Sequence, residues 1–167
     1  MRYPLLMDRK SLTREQRRAA FAGLANADPG DLLRQIDAAR SGLFRLLRSK
    51  DPRALAKRPR SGEWSAIENV RHLLFAEQLH LGKFMKDFQW SPVGFTNRTG
   101  RAYVDVGKKP TNDPEVVIKE WNAVHAQTRK AVKGGVDGEF RKQLAGNLMH
   151  LEAHIATIKT LLSVSDG

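Results

Sequence analysis

Apolar residues recur at steps of three and four along four long stretches of the chain. This spacing places them on one side of an α-helix, because a helix turns once in about 3.6 residues. The apolar positions are Leu32, Leu33, Ile36, Ala39, Leu43, Leu46 and Leu47, then Ile67, Val70, Leu73, Leu74, Leu81, Phe84, Met85 and Phe88, then Val116, Val117, Trp121, Val124 and Val132, and finally Leu144, Leu148, Leu151, Ile155, Ile158 and Leu162. The pattern predicts four amphipathic helices, over about residues 28–50, 65–88, 113–133 and 143–163.

Short local signals mark where several of these helices begin or end. Asp28 and Asp113 each precede a proline, which places a capping carboxylate before a residue suited to the first helical position. Thr13 and Ser65 are each followed three residues later by a glutamine or a glutamate, which is the pattern of a capping box. The box at Thr13 predicts a short extra helix that ends near residue 25. A glycine pair that begins at Gly134 predicts the end of the third long helix.

Two stretches between the helices lack a helical period. Residues 51–63 contain prolines and a glycine and are predicted to be a loop. Residues 89–113 are predicted to be a long connection with a short strand at 101–106, and a connection of this length is often functional. It is long enough to run back along a bundle, so the third long helix is expected to lie parallel to the second.

These elements predict an all-α protein, because four amphipathic helices in a short chain must bury their apolar sides against one another. We expect a four-helix bundle with a short N-terminal helix and a long connection between its second and third helices. Residues 1–27 are interpreted as an N-terminal extension and residues 28–167 as one bundle domain. The 167 residues, 41% of them hydrophobic, are enough for one such core.

Composition excludes several kinds of site. The chain has no cysteine, so disulfides, thiolate zinc sites, iron–sulfur clusters and a cysteine nucleophile are all excluded. No run of about 18 apolar residues is present, which argues against a membrane span. The first residues lack the continuous apolar segment of a signal peptide. The expected location is therefore the cytoplasm.

The net charge of +11 is concentrated near the N-terminus. Residues 1–60 hold 15 Lys and Arg against 6 Asp and Glu, a net charge of +9. Seven of these basic residues lie between positions 45 and 60. This basic segment has two interpretations, a solvated helix end or a patch that attracts an anionic substrate or a nucleic acid. Aromatic residues do not alternate with the cations, which weakens the case for binding single-stranded nucleic acid.

The chemistry of the chain is expected at its five histidines, His72, His80, His125, His150 and His154. His150 and His154 are four residues apart on one predicted helix and flank its apolar stripe, so both imidazoles can reach one ion where a neighbouring helix could supply a third ligand. The alternative is that both are half-buried and hydrogen-bonded. Their sequence, HLEAH, is not the HExxH motif of metalloproteases. His72 lies two turns into the second long helix, where periodicity does not distinguish a surface histidine from a ligand.

Two segments resemble the DinB-like, or YfiT-like, family. Residues 64–73, WSAIENVRHL, are similar to the family's second-helix signature, in which a Trp-Ser start leads to a ligand histidine followed by leucine. Residues 150–154, HLEAH, are similar to the last-helix motif with two histidines one turn apart. The resemblance covers about residues 28–163. It implies a four-helix bundle that holds one divalent transition metal through His72, His150 and His154.

The same resemblance implies a metal-dependent enzyme, either a thiol-dependent S-transferase or a hydrolase, that acts on a small molecule and often forms a homodimer. Three imidazoles leave a coordination position open, where water or a low-molecular-weight thiol could be activated. Nitrogen ligands suit zinc, nickel or iron(II). Two alternatives stay open: a bundle that binds metal without catalysis, and a nucleic-acid-associated protein.

The residues that would complete an active site are identified by type only. The sequence does not single out a general base or any other catalytic residue. The candidates for a base are His80, His125 and Glu77, and those for the lining of a pocket are Trp90, Phe95 and Tyr103.

Overall fold

The computed structural model describes residues 13–59, 63–94 and 111–164, and helices account for most of them. The helices are α1 (Arg14–Ala25), α2 (Pro29–Arg48), α3 (Pro52–Ala56), α4 (Ala66–Leu81), α5 (Pro114–Lys133) and α6 (Gly138–Val164). A 3₁₀ turn, Gly82–Phe84, follows α4. The described ranges contain no strand, and the predicted all-α class is confirmed. None of the described helices combines the length and the apolar character needed to cross a membrane.

The four long helices form a bundle in which α4 contacts both α5 and α6, and α2 contacts the same two helices. Helices α4 and α5 are parallel. Arg71, early in α4, reaches Asn112 just before α5, whereas Glu77 reaches Trp121 and His125, which lie further along α5. Helix α5 therefore begins at the same end of the bundle as α4, and the predicted parallel arrangement is confirmed.

Helix α6 is antiparallel to α4. His72, early in α4, lies beside His154, whereas Phe84, just after α4, packs against Phe140 at the beginning of α6. Helix α1 covers α6 from outside: the position that a Cβ of Gly146 would take is 3.8 Å from the ring of Phe21. The seam between α4 and α6 thus runs along the bundle and contains His72 and His154.

One apolar core joins all the long helices. Its fully buried side chains include Leu32, Ile36 and Leu47 of α2, Ile67, Leu74 and Leu81 of α4, Ile118 and Trp121 of α5, and Leu144 and Leu148 of α6. Each buried side chain of this size stabilises the fold by about 1.5–3 kcal/mol. The core therefore fixes the helices that position the polar groups described below.

The predicted starts of four helices are confirmed. The side chains of Thr13 and Ser65 accept hydrogen bonds in complete capping boxes at the beginnings of α1 and α4. Asp28 and Asp113 cap α2 and α5 ahead of their prolines. The predicted end of α5 is also confirmed, since its C-cap is Gly134. The next residue has a φ of 90°, a backbone conformation that glycine adopts without strain.

The prediction that residues 51–63 form a loop is wrong in part. Residues Pro52–Ala56 form the short helix α3. Its N-cap, Asp51, accepts a hydrogen bond from the Arg53 N–H at 2.7 Å, and its Leu55 is completely buried. The same Asp-Pro signal that begins α2 and α5 therefore also begins α3.

The prediction that the second long helix continues to residue 88 is also wrong. Helix α4 ends at Leu81, and the chain then folds back so that the ring of Phe88 covers Gly82. A Cβ at Gly82 would lie 2.8 Å from that ring, so a larger residue would prevent this packing. The apolar residues after Leu81 still reach the core, but from a turn instead of a helix.

The last helix begins earlier than predicted. Helix α6 starts at Gly138, and the Asp137 carboxylate accepts a hydrogen bond from the Phe140 N–H at 2.8 Å. Phe140, in the first turn, is buried and lies four residues before Leu144, so the apolar stripe in fact begins one turn earlier than the predicted start. The strand predicted at 101–106 lies outside the described residues.

Candidate metal centre

Three histidines meet in the seam between α4 and α6. His72 comes from α4, and His150 and His154 come from successive turns of α6. One nitrogen atom of each ring lies within 4.8 Å of a nitrogen of each of the others. The ring centroids are 4.4 Å apart for the α6 pair, and His72 lies 5.1 Å from His150 and 5.0 Å from His154. The structure thus brings together the three residues that the resemblance implies as ligands.

The position of His72 follows from the burial of α4. This helix contacts α3, α5 and α6, so nearly its whole circumference is covered. The side opposite its apolar stripe therefore lies against α6 instead of facing solvent. His72 is half-buried there, and the interpretation of this residue as a surface histidine is wrong.

Trp64 covers one side of the cluster. Its ring centroid lies 4.6 Å from that of His72 and 6.3 Å from that of His154, and its plane is within 21° of the His154 plane. Trp64 directly precedes Ser65, the buried N-cap of α4. The capping box therefore holds the indole against the imidazoles, and this contact shields them from water.

His150 has the electrostatic character of a metal ligand. Burial, followed by the neighbouring His72 and His80, lowers the pKa of His150 to about 4. Its imidazole is therefore neutral at pH 7, which metal binding requires. Its Nδ1 atom is buried and has no hydrogen-bond partner among the described residues. A donor set of three imidazoles and an unsatisfied buried nitrogen both fit a divalent transition metal.

Asn69 connects the cluster to the beginning of α4. Its Oδ1 atom lies 2.8 Å from Nδ1 of His154, and its Nδ2 group donates a hydrogen bond to the Ser65 carbonyl at 2.9 Å. The side chain is only 3% exposed. Sequence reasoning missed this residue. Its place inside the 64–73 motif, one turn after the N-cap and three residues before His72, is the signal that could have identified it.

Among the candidates for a general base, His80 is close to the cluster. Its ring centroid is 6.2 Å from that of His150. Burial, followed by the charge of Lys83, lowers the pKa of His80 below its usual value.

Glu77 and His125 belong instead to a buried network on another side of α4. Glu77 contacts His125 at 2.7 Å and accepts hydrogen bonds from the Trp121 indole at 2.6 Å and the Thr128 hydroxyl at 2.8 Å. The second ring nitrogen of His125 contacts Asp37 of α2 at 2.7 Å. These groups are buried and join three helices, and this structural role separates them from the histidine cluster.

The aromatic candidates for a pocket lining are only partly described. Trp90 packs against Phe75 and Phe88 and remains 54% exposed. Phe95 and Tyr103 lie outside the described residues. A cavity of about 600 Å³ is present between the ends of α4 and α5 and the beginning of α6, away from the histidines.

The basic segment is partly neutralised by ion pairs. Arg48 pairs with Glu115 of α5, and Arg58 binds both carboxylate oxygens of Glu68. The Arg58 pair lies at the capping box of α4, so this cation has a structural role. Burial alone would raise the pKa of Glu68, but Arg58 and the Ser65 N–H hold it below its usual value.

The comparison with protein families agrees with this geometry. A family model described as the DinB superfamily matches residues 35–158, which is more than half of the chain and contains all three clustered histidines. No curated protein and no solved structure matches the chain significantly. The helical bundle, the three-histidine cluster and the family match lead to the same assignment, and the chain belongs to the DinB superfamily.

Proposed function

We propose that this protein binds one divalent transition metal, zinc, nickel or iron, through His72, His150 and His154, and that it is a metal-dependent enzyme. The supporting observation is the mutual approach of three ring nitrogens within 4.8 Å. A fourth protein ligand is absent from the cluster in the described part of the chain. The proposed centre is therefore an open one, which is typical of catalytic and not of structural sites.

The proposed reaction is a thiol-dependent S-transfer or a hydrolysis of a small molecule. A metal with an open position supplies Lewis acidity, which makes a thiol or a water molecule a better nucleophile at neutral pH. The remaining contributions come from the chain itself. Trp64 shields two of the imidazoles from solvent, and Asn69 hydrogen-bonds to His154. His80 is the proposed proton acceptor, because burial and Lys83 favour its neutral form.

Elemental analysis of protein purified without an affinity tag tests the metal site. We expect about one metal ion per chain, and a large loss of bound metal in His72→Ala, His150→Ala and His154→Ala. His80→Ala is the matched control, since it removes a histidine near the cluster without removing a ligand. Full metal occupancy in His72→Ala would contradict the ligand assignment.

Catalysis is tested separately from binding. Small thiols with electrophilic acceptors, and panels of ester and amide substrates, are to be assayed with the metal-loaded protein and with protein treated with a chelator. Turnover that disappears on chelation and returns on reloading supports the enzyme. Stoichiometric metal without turnover supports the alternative of a non-catalytic metal-binding bundle. Nucleic-acid affinity that falls steeply with salt would support the other alternative.

Assembly and location are part of the same proposal. We propose a cytoplasmic homodimer whose bundle domain is residues 28–167. Sedimentation equilibrium of the purified protein tests the dimer, and limited proteolysis tests whether residues 1–27 are removed without loss of the bundle.

A further inference from the structure

We propose that Asn69 is a positioning residue that holds His154 in one tautomer, so that Nε2 of His154 is the atom presented to the metal. The inference rests on the proposed metal site and adds to it the identity of the ligand atom and the residue that selects it. It depends on the orientation of one buried amide between a carbonyl group and an imidazole.

The orientation of the Asn69 amide follows from its first contact. The Nδ2 group lies 2.9 Å from the Ser65 carbonyl oxygen, and that oxygen can only accept. The NH₂ group must therefore face Ser65, and the amide oxygen must face the other way. That oxygen lies 2.8 Å from Nδ1 of His154.

The tautomer of His154 follows from the second contact. The amide oxygen of Asn69 can only accept, so Nδ1 of His154 must carry the hydrogen and donate. A neutral imidazole carries one hydrogen, so Nε2 keeps its lone pair. Nε2 is then the nitrogen of His154 that can bind a metal. A partner that fixes the outer nitrogen of a ligand histidine also fixes the orientation of its ring.

The amide itself is held in place by the beginning of α4. Ser65 is completely buried and belongs to the capping box with Glu68, whose carboxylate accepts from the Ser65 N–H at 2.8 Å. Arg58 binds the same carboxylate. Asn69 is 3% exposed, so water does not compete effectively for its amide. The carbonyl that orients Asn69 is therefore fixed before any metal arrives.

Two substitutions separate this role from a structural one. Asn69→Leu has a similar volume and removes both hydrogen bonds. Asn69→Asp keeps an acceptor for His154 but loses the donor for the Ser65 carbonyl. If Asn69 only stabilised the beginning of α4 through Ser65, both variants would behave alike. If it positions His154, only Asn69→Leu loses metal affinity.

The experiment has two readouts. Long-range ¹H–¹⁵N spectra of histidine-labelled, metal-free protein identify the protonated nitrogen of His154. Competition with a chromophoric chelator measures the affinity for Zn²⁺. We expect Nδ1–H in the wild type and in Asn69→Asp. We expect a mixture of tautomers in Asn69→Leu, with Zn²⁺ affinity about 10–100-fold lower, the usual effect of losing such a partner.

The outcomes are distinct. An Nε2–H tautomer of His154 in the metal-free wild type overturns the inference, whether or not any variant folds. Unchanged Zn²⁺ affinity in folded Asn69→Leu, or an equal loss in both variants, also overturns it. A wild type that binds none of Zn²⁺, Ni²⁺ and Fe²⁺ overturns the proposed function, and the tautomer in the metal-free protein then decides the Asn69 assignment by itself.

Discussion

Glu77 of α4 and His125 of α5 contact each other at 2.7 Å, and each is only 1% exposed. The second ring nitrogen of His125 meets Asp37 of α2 at 2.7 Å. An ionised carboxylate can only accept, so His125 donates from both ring nitrogens when Glu77 and Asp37 are ionised. The contact therefore joins three of the four bundle helices, on a different side of α4 from the histidine cluster.

Breaking the Glu77–His125 contact is expected to destabilise the fold strongly. Glu77→Ala and His125→Ala should each lower the free energy of unfolding by about 3–5 kcal/mol, because each leaves its partner buried without its hydrogen bond. The double variant should lose less than the sum of the two. Urea unfolding gives the three values. Glu139→Ala, at an exposed pair with Lys142, is the control and should change stability by about 0.5 kcal/mol or less. Additive losses would show that the two residues do not act together.

Glu77 also predicts a loss of stability in acid. Burial alone would raise its pKa, but His125, Arg40 and Trp121 hold the pKa of Glu77 below its usual 4.5. Since the folded value is below the unfolded one, the carboxylate stabilises the fold fully above about pH 4.5, and this contribution is lost as the pH falls through the folded pKa. Urea unfolding of the wild type and Glu77→Gln from about pH 6 to about pH 3 should show a flatter slope in the variant. If the unfolding free energies of the two proteins change in parallel with pH, Glu77 is not the source of the acid sensitivity.

The metal-free protein should become less stable over a different pH range because of His150. Its pKa is lowered from 6.5 to about 4, so the unfolded chain binds more protons than the folded one between these values. Stability is therefore complete above about pH 6.5 and falls as the pH is lowered toward 4. His150→Gln should reduce this slope in chelator-treated protein. An unchanged slope would mean that His150 is protonated as easily in the fold as in water.

The capping box of α4 should influence metal binding as well as stability. Ser65→Ala should cost about 0.5–2 kcal/mol without metal. Metal at 100 times its Kd should add about 2.7 kcal/mol to the wild type, because it binds only the folded state. This gain should be smaller in Ser65→Ala. The beginning of α4 positions His72 and Asn69, so a weakened cap should also weaken metal binding. Thr13→Ala removes a matched cap on α1, and its gain should equal that of the wild type. Thermal melts with and without a chelator measure these gains, and an equal gain in both variants would contradict the role of Ser65.

Two neighbouring cations of the basic segment should behave differently. Arg58 binds the buried carboxylate of Glu68, so Arg58→Gln should cost about 1 kcal/mol, a modest value because the guanidinium is partly exposed. Lys57 is exposed, and Lys57→Gln should change stability by about 0.5 kcal/mol or less. Chemical denaturation of both variants checks the difference. Equal losses of stability in the two variants would indicate that Arg58 is a solvated surface charge.

The sequence by itself determined the features that depend on near neighbours. The caps at Thr13, Asp28, Ser65 and Asp113 act within a single turn, so their residue types were enough to place the helix starts. The spacing of four residues in the HLEAH motif likewise put both of its histidines on one side of α6. The apolar stripes also predicted the bundle, whereas the motif resemblance added the third histidine, because a family pattern records contacts that periodicity does not.

The tertiary structure decided which sides of the helices meet. Helix α4 is covered nearly all round and buries polar groups, so an apolar stripe could not show that His72 faces α6, that Glu77 faces α5, or that Asn69 reaches His154. The end of α4 at Leu81 also depends on packing, since the ring of Phe88 folds back onto Gly82. A stripe reports burial averaged over a helix, whereas these contacts depend on the particular neighbour at each position, and only the packed bundle supplies those neighbours.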